Sequence, residues 1–316
     1  MTTTEKQLHK KLRQQRIILG VLLAGIPVAV YFSFRYAHVQ RVSNSQFAML
    51  DPLREFTPAE NYITNIQELR VYLHALEEKY PDSLSVYYEN INSGSNISVN
   101  KELRLFPASL SKLVQAILIV SKVENGTLSF DQELKALPTD ISSGSGNLYK
   151  TIGEGSMTVE NLLKELLVNS DNTAQNIFKR YLDFSDYEKF QYNTGLQDLY
   201  NENGFISTKE YTRILRVLYT SNFLKPENSE MILKHMKDAT FNEYLSQGIP
   251  TGVTFAHKYG ENNEYNIFAD SGIVYVPGKP YMISVIIKGK DSTEETRNWA
   301  KGLMKEISER AYTVSK

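Results

Sequence analysis

The 316-residue chain has no cysteine, which excludes disulfides, thiolate metal sites, a cysteine nucleophile and a lipidated N-terminal cysteine. Histidine is almost as scarce: five residues, scattered along the chain, leave little for a zinc or iron centre. Excess charge of one sign is missing too. Thirty-five Lys+Arg against 36 Asp+Glu give a net charge of −1, so no overall positive field exists to collect nucleic acid. What is present is ordinary globular composition, 41% hydrophobic and 22% charged, enough for one large domain or two modest ones. Any chemistry must therefore use oxygen and nitrogen nucleophiles.

The even charge balance hides an asymmetry. Residues 1–16 hold Lys6, Lys10, Lys11, Arg13 and Arg16 against Glu5, a local +4 that leaves −5 for the rest. Ile17 to Phe34 then runs eighteen residues without a charge. At 1.5 Å per residue it covers about 27 Å, close to a hydrocarbon core. Pro27 is tolerated in a membrane helix, and Phe34-Arg35-Tyr36-Ala37-His38 offers no small-residue cleavage site. The expectation is an uncleaved transmembrane helix over 17–35, with a basic cytoplasmic tail at 1–16 and everything beyond outside the cytoplasm. Residues 36–60, with Pro52 and Pro58 and no sustained periodicity, read as a linker.

The folded unit is expected over 61–316. Ile66, Leu69, Leu73 and Leu76 make a helical stripe that Pro81 stops. Leu84 to Ile91 and Asn96 to Asn100 are β-rich runs separated by hairpin chemistry, Asn92-Ser93-Gly94-Ser95. From about 110 to 240 the chain reads as mostly helical, with Ser142 to Gly155 as its longest loop and a capping box at Ser207-Thr208-Lys209-Glu210. Strands return at Asn266 to Val276 and Tyr281 to Lys288, before a helix from the box Ser292-Thr293-Glu294-Glu295 to about Arg310. The pattern predicts an α+β fold: an antiparallel sheet formed by the N- and C-terminal parts with flanking helices, beside an all-helical subdomain, and a cleft between them.

A hydrolase without cysteine or metal suggests a serine activated by a nearby base. Ser-x-x-Lys occurs twice. Ser98 and Lys101 lie at a strand end, where positions i and i+3 point to opposite faces. Ser109 and Lys112 instead open the apolar run Leu113 to Val120, where a helix would put both on one face and let the amine reach the hydroxyl. Burial there would lower the Lys112 pKa and free an amine to take the serine proton. Ser170-Asp171-Asn172 joins two amphipathic helices, and Lys258-Tyr259-Gly260 opens the last block of strands.

In that order, Ser-x-x-Lys, Ser-Asp-Asn and Lys-x-Gly form a signature, and over roughly Ile66 to Arg310 the chain resembles class A β-lactamases and their penicillin-binding relatives. The context agrees: Phe106-Pro107-Ala108 before Ser109, Thr173-Ala174 after Asn172, and Ala256-His257 before Lys258. The resemblance implies Ser109 as nucleophile, Lys112 as its general base, and Ser170 as a proton relay to the leaving nitrogen. It further implies that Asn172 binds the acyl side chain, that Lys258 holds the substrate carboxylate, and that Gly260 lets substrate lie along the strand. Backbone N–H groups of Ser109 and Glu261 would form the oxyanion hole. No cofactor or metal is implied; the partners are a peptidoglycan stem peptide or a β-lactam.

The pattern departs from that family in two places. The loop carrying the deacylating Glu looks largely missing between Thr173 and Ile206, where Glu202 is the sole nearby candidate and reads better as a solvent-facing carboxylate. This favours a membrane-anchored D-Ala-D-Ala peptidase that β-lactams acylate, ahead of a β-lactamase or a non-catalytic surface module. Tyr259 stands where the family has Thr or Ser, and its hydroxyl lies farther out. His257 adjoins Lys258 but should point to the opposite face of the strand and pack structurally, and His74 and His235 read as structural.

Overall fold

A computed structural model describes residues 65–197, 199–200 and 202–316. The expected tail, membrane helix and linker lie outside the described residues. Among the described residues, no helix is long and apolar enough to cross a membrane.

Helix α1 (Gln67–Lys79) buries Leu69, Leu73 and Leu76, an i, i+4, i+7 stripe, and ends before Pro81. Strands β1 (Leu84–Asn90) and β2 (Asn96–Val99) form the expected hairpin, with Val86 opposite Val99 and Tyr88 opposite Ile97. Helix α2 (Ser111–Glu124) buries every residue from Lys112 to Val120, so it is a central helix, apolar on all sides except for Lys112 and Gln115. Two short strands, β3 (Glu133–Lys135) and β4 (Ser156–Thr158), pair around the short helix α3 (Leu148–Thr151). This ribbon was not expected, because three residues are too few to show a period of two.

Helices α4 (Val159–Val168), α5 (Asn172–Lys179), α6 (Phe184–Thr194), α7 (Thr208–Tyr219) and α8 (Pro226–Lys237) complete the helical region. Each start has a local cause. Thr158, Asp171 and Ser207 accept from the backbone N–H three residues on, at 3.3, 2.9 and 3.2 Å, and Pro226 occupies the first position of α8.

Strands β5 (Thr254–Asn262), β6 (Ile267–Tyr275) and β7 (Tyr281–Lys288) form a meander, and β7 then pairs antiparallel with the whole of β1, Leu84 opposite Ile287. The sheet order is β2-β1-β7-β6-β5, so both ends of the domain build one sheet, as expected, and β5 is its edge. Helix α9 (Glu294–Ser315) is capped by Thr293 and not by Ser292, and it runs past Arg310. The Thr293 hydroxyl wins because it sits one residue before the helix, 3.4 Å from Thr296 N.

One face of the sheet carries Val86, Tyr88, Ile283, Val285 and Ile287 against α1 and α9. The other face is lined by hydroxyls: Ser85 bonds Thr208 at 2.8 Å, Thr212 bonds Ser284 at 2.7 Å, and Ser271 bonds Ser284. All five are buried. These short side chains let α7 lie close to the sheet while every hydroxyl keeps a partner.

Candidate active site

Ser109 is held by an irregular turn. Ala108–Leu110 forms a single 3₁₀ turn, and α2 begins only at Ser111, so the nucleophile candidate precedes the helix instead of lying in it. Ala108, immediately before it, has φ 49°, a conformation that alanine adopts rarely. Ser170 repeats the feature with φ 54°. Left-handed backbone at non-glycine residues costs about 1–3 kcal/mol and persists where surrounding structure enforces it.

Gly260 supplies that enforcement on β5. A Cβ there would lie 2.8 Å from Ser109 N and 3.1 Å from Ala108 Cβ. The glycine therefore seats the Ser109 turn directly on the edge strand, a nearer role than making room for substrate.

Asp171 anchors the second element. It is fully buried, and its carboxylate accepts Ala174 N at 2.9 Å as the cap of α5 and Leu148 N at 2.8 Å from the glycine-rich loop. The loop's Gly146 has φ +75°, and any Cβ would overlap Asp171. Asn172 closes the junction, its Nδ2 donating to Ser143 O at 2.9 Å and its backbone N to Ser145 O at 3.1 Å. Thus Ser170-Asp171-Asn172 does more than link two helices.

The three motif segments do meet. Lys112 and Lys258 are fully buried, and both amines donate to the Ser170 hydroxyl, at 3.2 and 2.8 Å. Lys112 Nζ also donates to Asn172 Oδ1 at 2.7 Å and to Ser170 O. The expectation that one helix carries both Ser109 and Lys112 is corrected, since Ser109 precedes α2, and no hydrogen bond joins the two side chains among the described residues. The reason is geometric, since Ser109 lies before the helix and the lysine chain extends towards the better acceptors of the Ser170 turn.

Burial pushes the Lys112 amine down from 10.5 to about 7, with a smaller push from Lys179 and an opposing pull from Asp171. Lys258 is also driven well down, first by burial and then by the charge of Lys112, against the pull of Asp270. Two ammonium groups cannot comfortably share one buried hydroxyl, so at least one amine is neutral at pH 7 and available as a base.

Tyr259 turns back over this cluster. Its ring lies 4.5 Å from Lys258 Nζ and stacks on Phe241 at 3.8 Å between centroids. Its hydroxyl is 3.5 Å from Ser145 Oγ, and burial raises its pKa, which keeps it protonated. Next along β5, the Glu261 side chain accepts from Arg297 at 2.7 Å and from the Tyr244 hydroxyl. Phe241, Ser145, Arg297 and Tyr244 were not legible as site residues. Only the length of the Ser142 to Gly155 loop hinted at Ser145.

His257 points away, as expected: its Nδ1 is 2.8 Å from Asp270 Oδ1, and its ring stacks on Phe255. Outside the amine cluster a cleft of about 1180 Å³ opens, lined by Ser109, Asn172, Tyr259, Glu202 and, farther out, Lys179 and Tyr187. Glu202 is exposed on that lining. No group of residues that could hold a metal occurs among the described residues.

Comparison with known proteins agrees with this geometry. The model of the "Beta-lactamase enzyme family" matches residues 68–314. The β-lactamase VEB-1 of Pseudomonas aeruginosa is 23% identical over 231 residues, covering 65% of this chain and 77% of that one. Among solved structures, PBP-A superposes with TM-score 0.70 at 20% identity, over 78% of this chain and 95% of that one. A PBP-A mutant with the same overlap is solved as an acyl-enzyme with penicillin G. A Xanthomonas campestris β-lactamase matches at TM-score 0.70 and 20% identity, over 80% and 100% of the two chains. With a family match across most of its length and an α+β fold shared with these structures, the chain belongs to the Beta-lactamase enzyme family.

Proposed function

We propose that this protein is a serine acyl-enzyme hydrolase of the penicillin-binding type, acting on peptidoglycan stem peptides and acylated by β-lactams. The observation that carries the reading is the Ser170 hydroxyl held between two buried amines beside a cleft that Ser109 lines. In the reaction, Lys112 moves from its Ser170 and Asn172 acceptors to take the Ser109 proton as Oγ attacks the carbonyl carbon. The tetrahedral oxyanion is stabilised by the backbone N–H groups of Ser109 and Glu261. Ser170, bonded to Lys112 on one side and Lys258 on the other, passes the proton to the departing nitrogen. Water then hydrolyses the Ser109 ester.

Slow hydrolysis of a penicilloyl ester follows from Glu202 being an exposed carboxylate on the rim. The same residue supports a second reading, a β-lactamase, since it lines the Ser109 cleft and VEB-1 bears that name. We also propose that residues 17–35 anchor the protein with its catalytic domain outside the cytoplasm, which release of intact protein by a detergent-free membrane wash would refute.

Intact-protein mass spectrometry tests the chemistry. The full chain is exposed to benzylpenicillin and to a neutral N-acyl-D-alanyl thioester. An adduct on Ser109 that persists for hours supports the penicillin-binding reading, and one lost within seconds supports the β-lactamase. No adduct from either reagent, with wild type matching Ser109→Ala, refutes acyl-enzyme chemistry.

A further inference from the structure

A leaving group must sit near the Ser170 hydroxyl to receive its proton, so the groups around Ser170 decide what that leaving group is. Ser170 is itself fully buried; beside it the Tyr259 ring lies 4.5 Å from Lys258 Nζ, and the Tyr259 hydroxyl lies 3.5 Å from Ser145 Oγ. The nearest amine, Lys258, is fully buried and donates to Ser170 Oγ at 2.8 Å and to Tyr259 O at 3.0 Å. The Tyr259 ring, braced by Phe241, covers it at 4.5 Å. Tyr259 lines the cleft, whereas Lys258 and Ser170 lie behind that lining.

The cations that do line the cleft are placed differently. Arg297 is bonded to Glu261 at 2.7 Å, so its charge is already met. Lys179 is exposed and makes no ion pair among the described residues, but it closes α5 seven residues after Asn172. That is about 10 Å along the helix, too far to hold a carboxylate attached beside the scissile bond.

From this charge map we infer that Tyr259 is a specificity-determining residue: it closes the Lys258 anion site, so Ser109 prefers acyl donors whose leaving group carries no adjacent carboxylate, and benzylpenicillin, which carries one, acylates it slowly. A carboxylate placed there would lose water and gain a phenol face and two hydroxyls, with no free cation. The ligand class that fits is an internal bond of a peptide, where the residue after the scissile bond is itself in amide linkage. The inference rests on the acyl-enzyme reading above and narrows it, from a carboxypeptidase that removes a terminal residue to an enzyme that cuts within, or transfers, a peptide.

The test compares two thioesters, N-benzoyl-D-alanyl-thioglycolate and the same compound as its carboxamide, on the full chain. In each, the Ser109 Oγ–C bond forms as the C–S bond breaks, and the serine proton leaves with the thiol; water then cleaves the ester. Thiol release and Ser109 adduct mass are followed together. The expected result is acylation at least tenfold faster with the carboxamide. In Tyr259→Ser the ratio should fall to about one or invert, because Lys258 is uncovered. In Tyr259→Phe it should stay as in wild type, since the ring remains.

A wild-type preference for the carboxylate overturns the inference whether or not any variant folds. So does an unchanged ratio in a Tyr259→Ser protein with wild-type circular dichroism. Absence of an adduct from both compounds is a different failure: it sinks the acyl-enzyme reading, and the specificity falls with it.

Discussion

Replacing Lys112 with methionine separates what the buried amine costs the fold from what it does for chemistry. Burial lowers this amine from 10.5 to about 7, so the folded protein sheds the proton some three units before the unfolded chain does. Between those values the unfolded state binds more protons, and stability must rise with pH. The penalty of a charged Lys112 is fully present below pH 7 and is relieved as pH climbs towards 10.5. Integrating the linkage from pH 6 to pH 9 gives wild type a gain of about 2–3 kcal/mol from this one group.

Lys112→Met has no such group. Its lost hydrogen bonds to Ser170 and Asn172 cost about the same at every pH. Burial lowers Lys258 in both proteins and cancels in the comparison, whereas the share of its shift that comes from the Lys112 charge is lost in the variant and belongs to the same pair. Urea unfolding of both proteins at pH 6, 7.5 and 9 should show wild type gaining on the variant by about 2–3 kcal/mol across the range. Parallel curves would refute the depressed amine and, with it, the assignment of Lys112 as a base at neutral pH. Acylation offers a second readout: the wild-type rate should rise with pH about an apparent pKa near 7, and the variant should not acylate.

Further outcomes follow from the same contacts. Ser170→Ala removes the hydroxyl shared by Lys112 and Lys258 and should slow Ser109 acylation by about a hundredfold or more, measured by adduct formation. Gly260→Ala places a methyl 2.8 Å from Ser109 N, and should cost about 1–3 kcal/mol in urea unfolding while abolishing acylation. His257→Ala strips a hydrogen bond from the buried Asp270 carboxylate; a loss of about 1–3 kcal/mol is expected, with the acylation rate of the remaining folded protein within about threefold of wild type. Glu202→Gln should leave the lifetime of the penicilloyl adduct within about twofold, whereas prolongation by a hundredfold would move the protein to the β-lactamase reading.

Much of this architecture could be read in the chain because local rules and tertiary needs coincide. The Leu69, Leu73, Leu76 stripe, the β1–β2 turn and the Ser207 cap each encode their element within a few residues. The three motif segments also meet, Ser109 and Ser170 from turns at the starts of helices and Lys258 from the middle of the edge strand β5. What was not legible depends on partners far away in sequence. Lys112 selects Ser170 and Asn172 over Ser109 because of where the Ser170 turn is placed. Tyr259 reads as a single odd residue, and only Phe241 and Ser145, from separate segments, turn it into a cover. The β3–β4 ribbon is three residues a side and is held by its neighbours more than by its own pattern.

The pairing of β1 with β7 has a consequence for how the protein comes into being. Residues 84 and 287 must meet before the central strand ladder exists, so a chain emerging from the ribosome or a translocon carries an unpaired β1–β2 hairpin until almost all of its synthesis is finished. Such late closure makes folding slow and leaves a sticky strand edge exposed meanwhile. A chain cut short between Tyr275 and Tyr281 would hold Ser109, Lys112, Ser170 and Lys258 in its sequence, yet leave β1 and β6 without the strand that joins them. The candidate nucleophile Ser109 is written early, but the sheet that seats its turn is complete only when the last strand arrives.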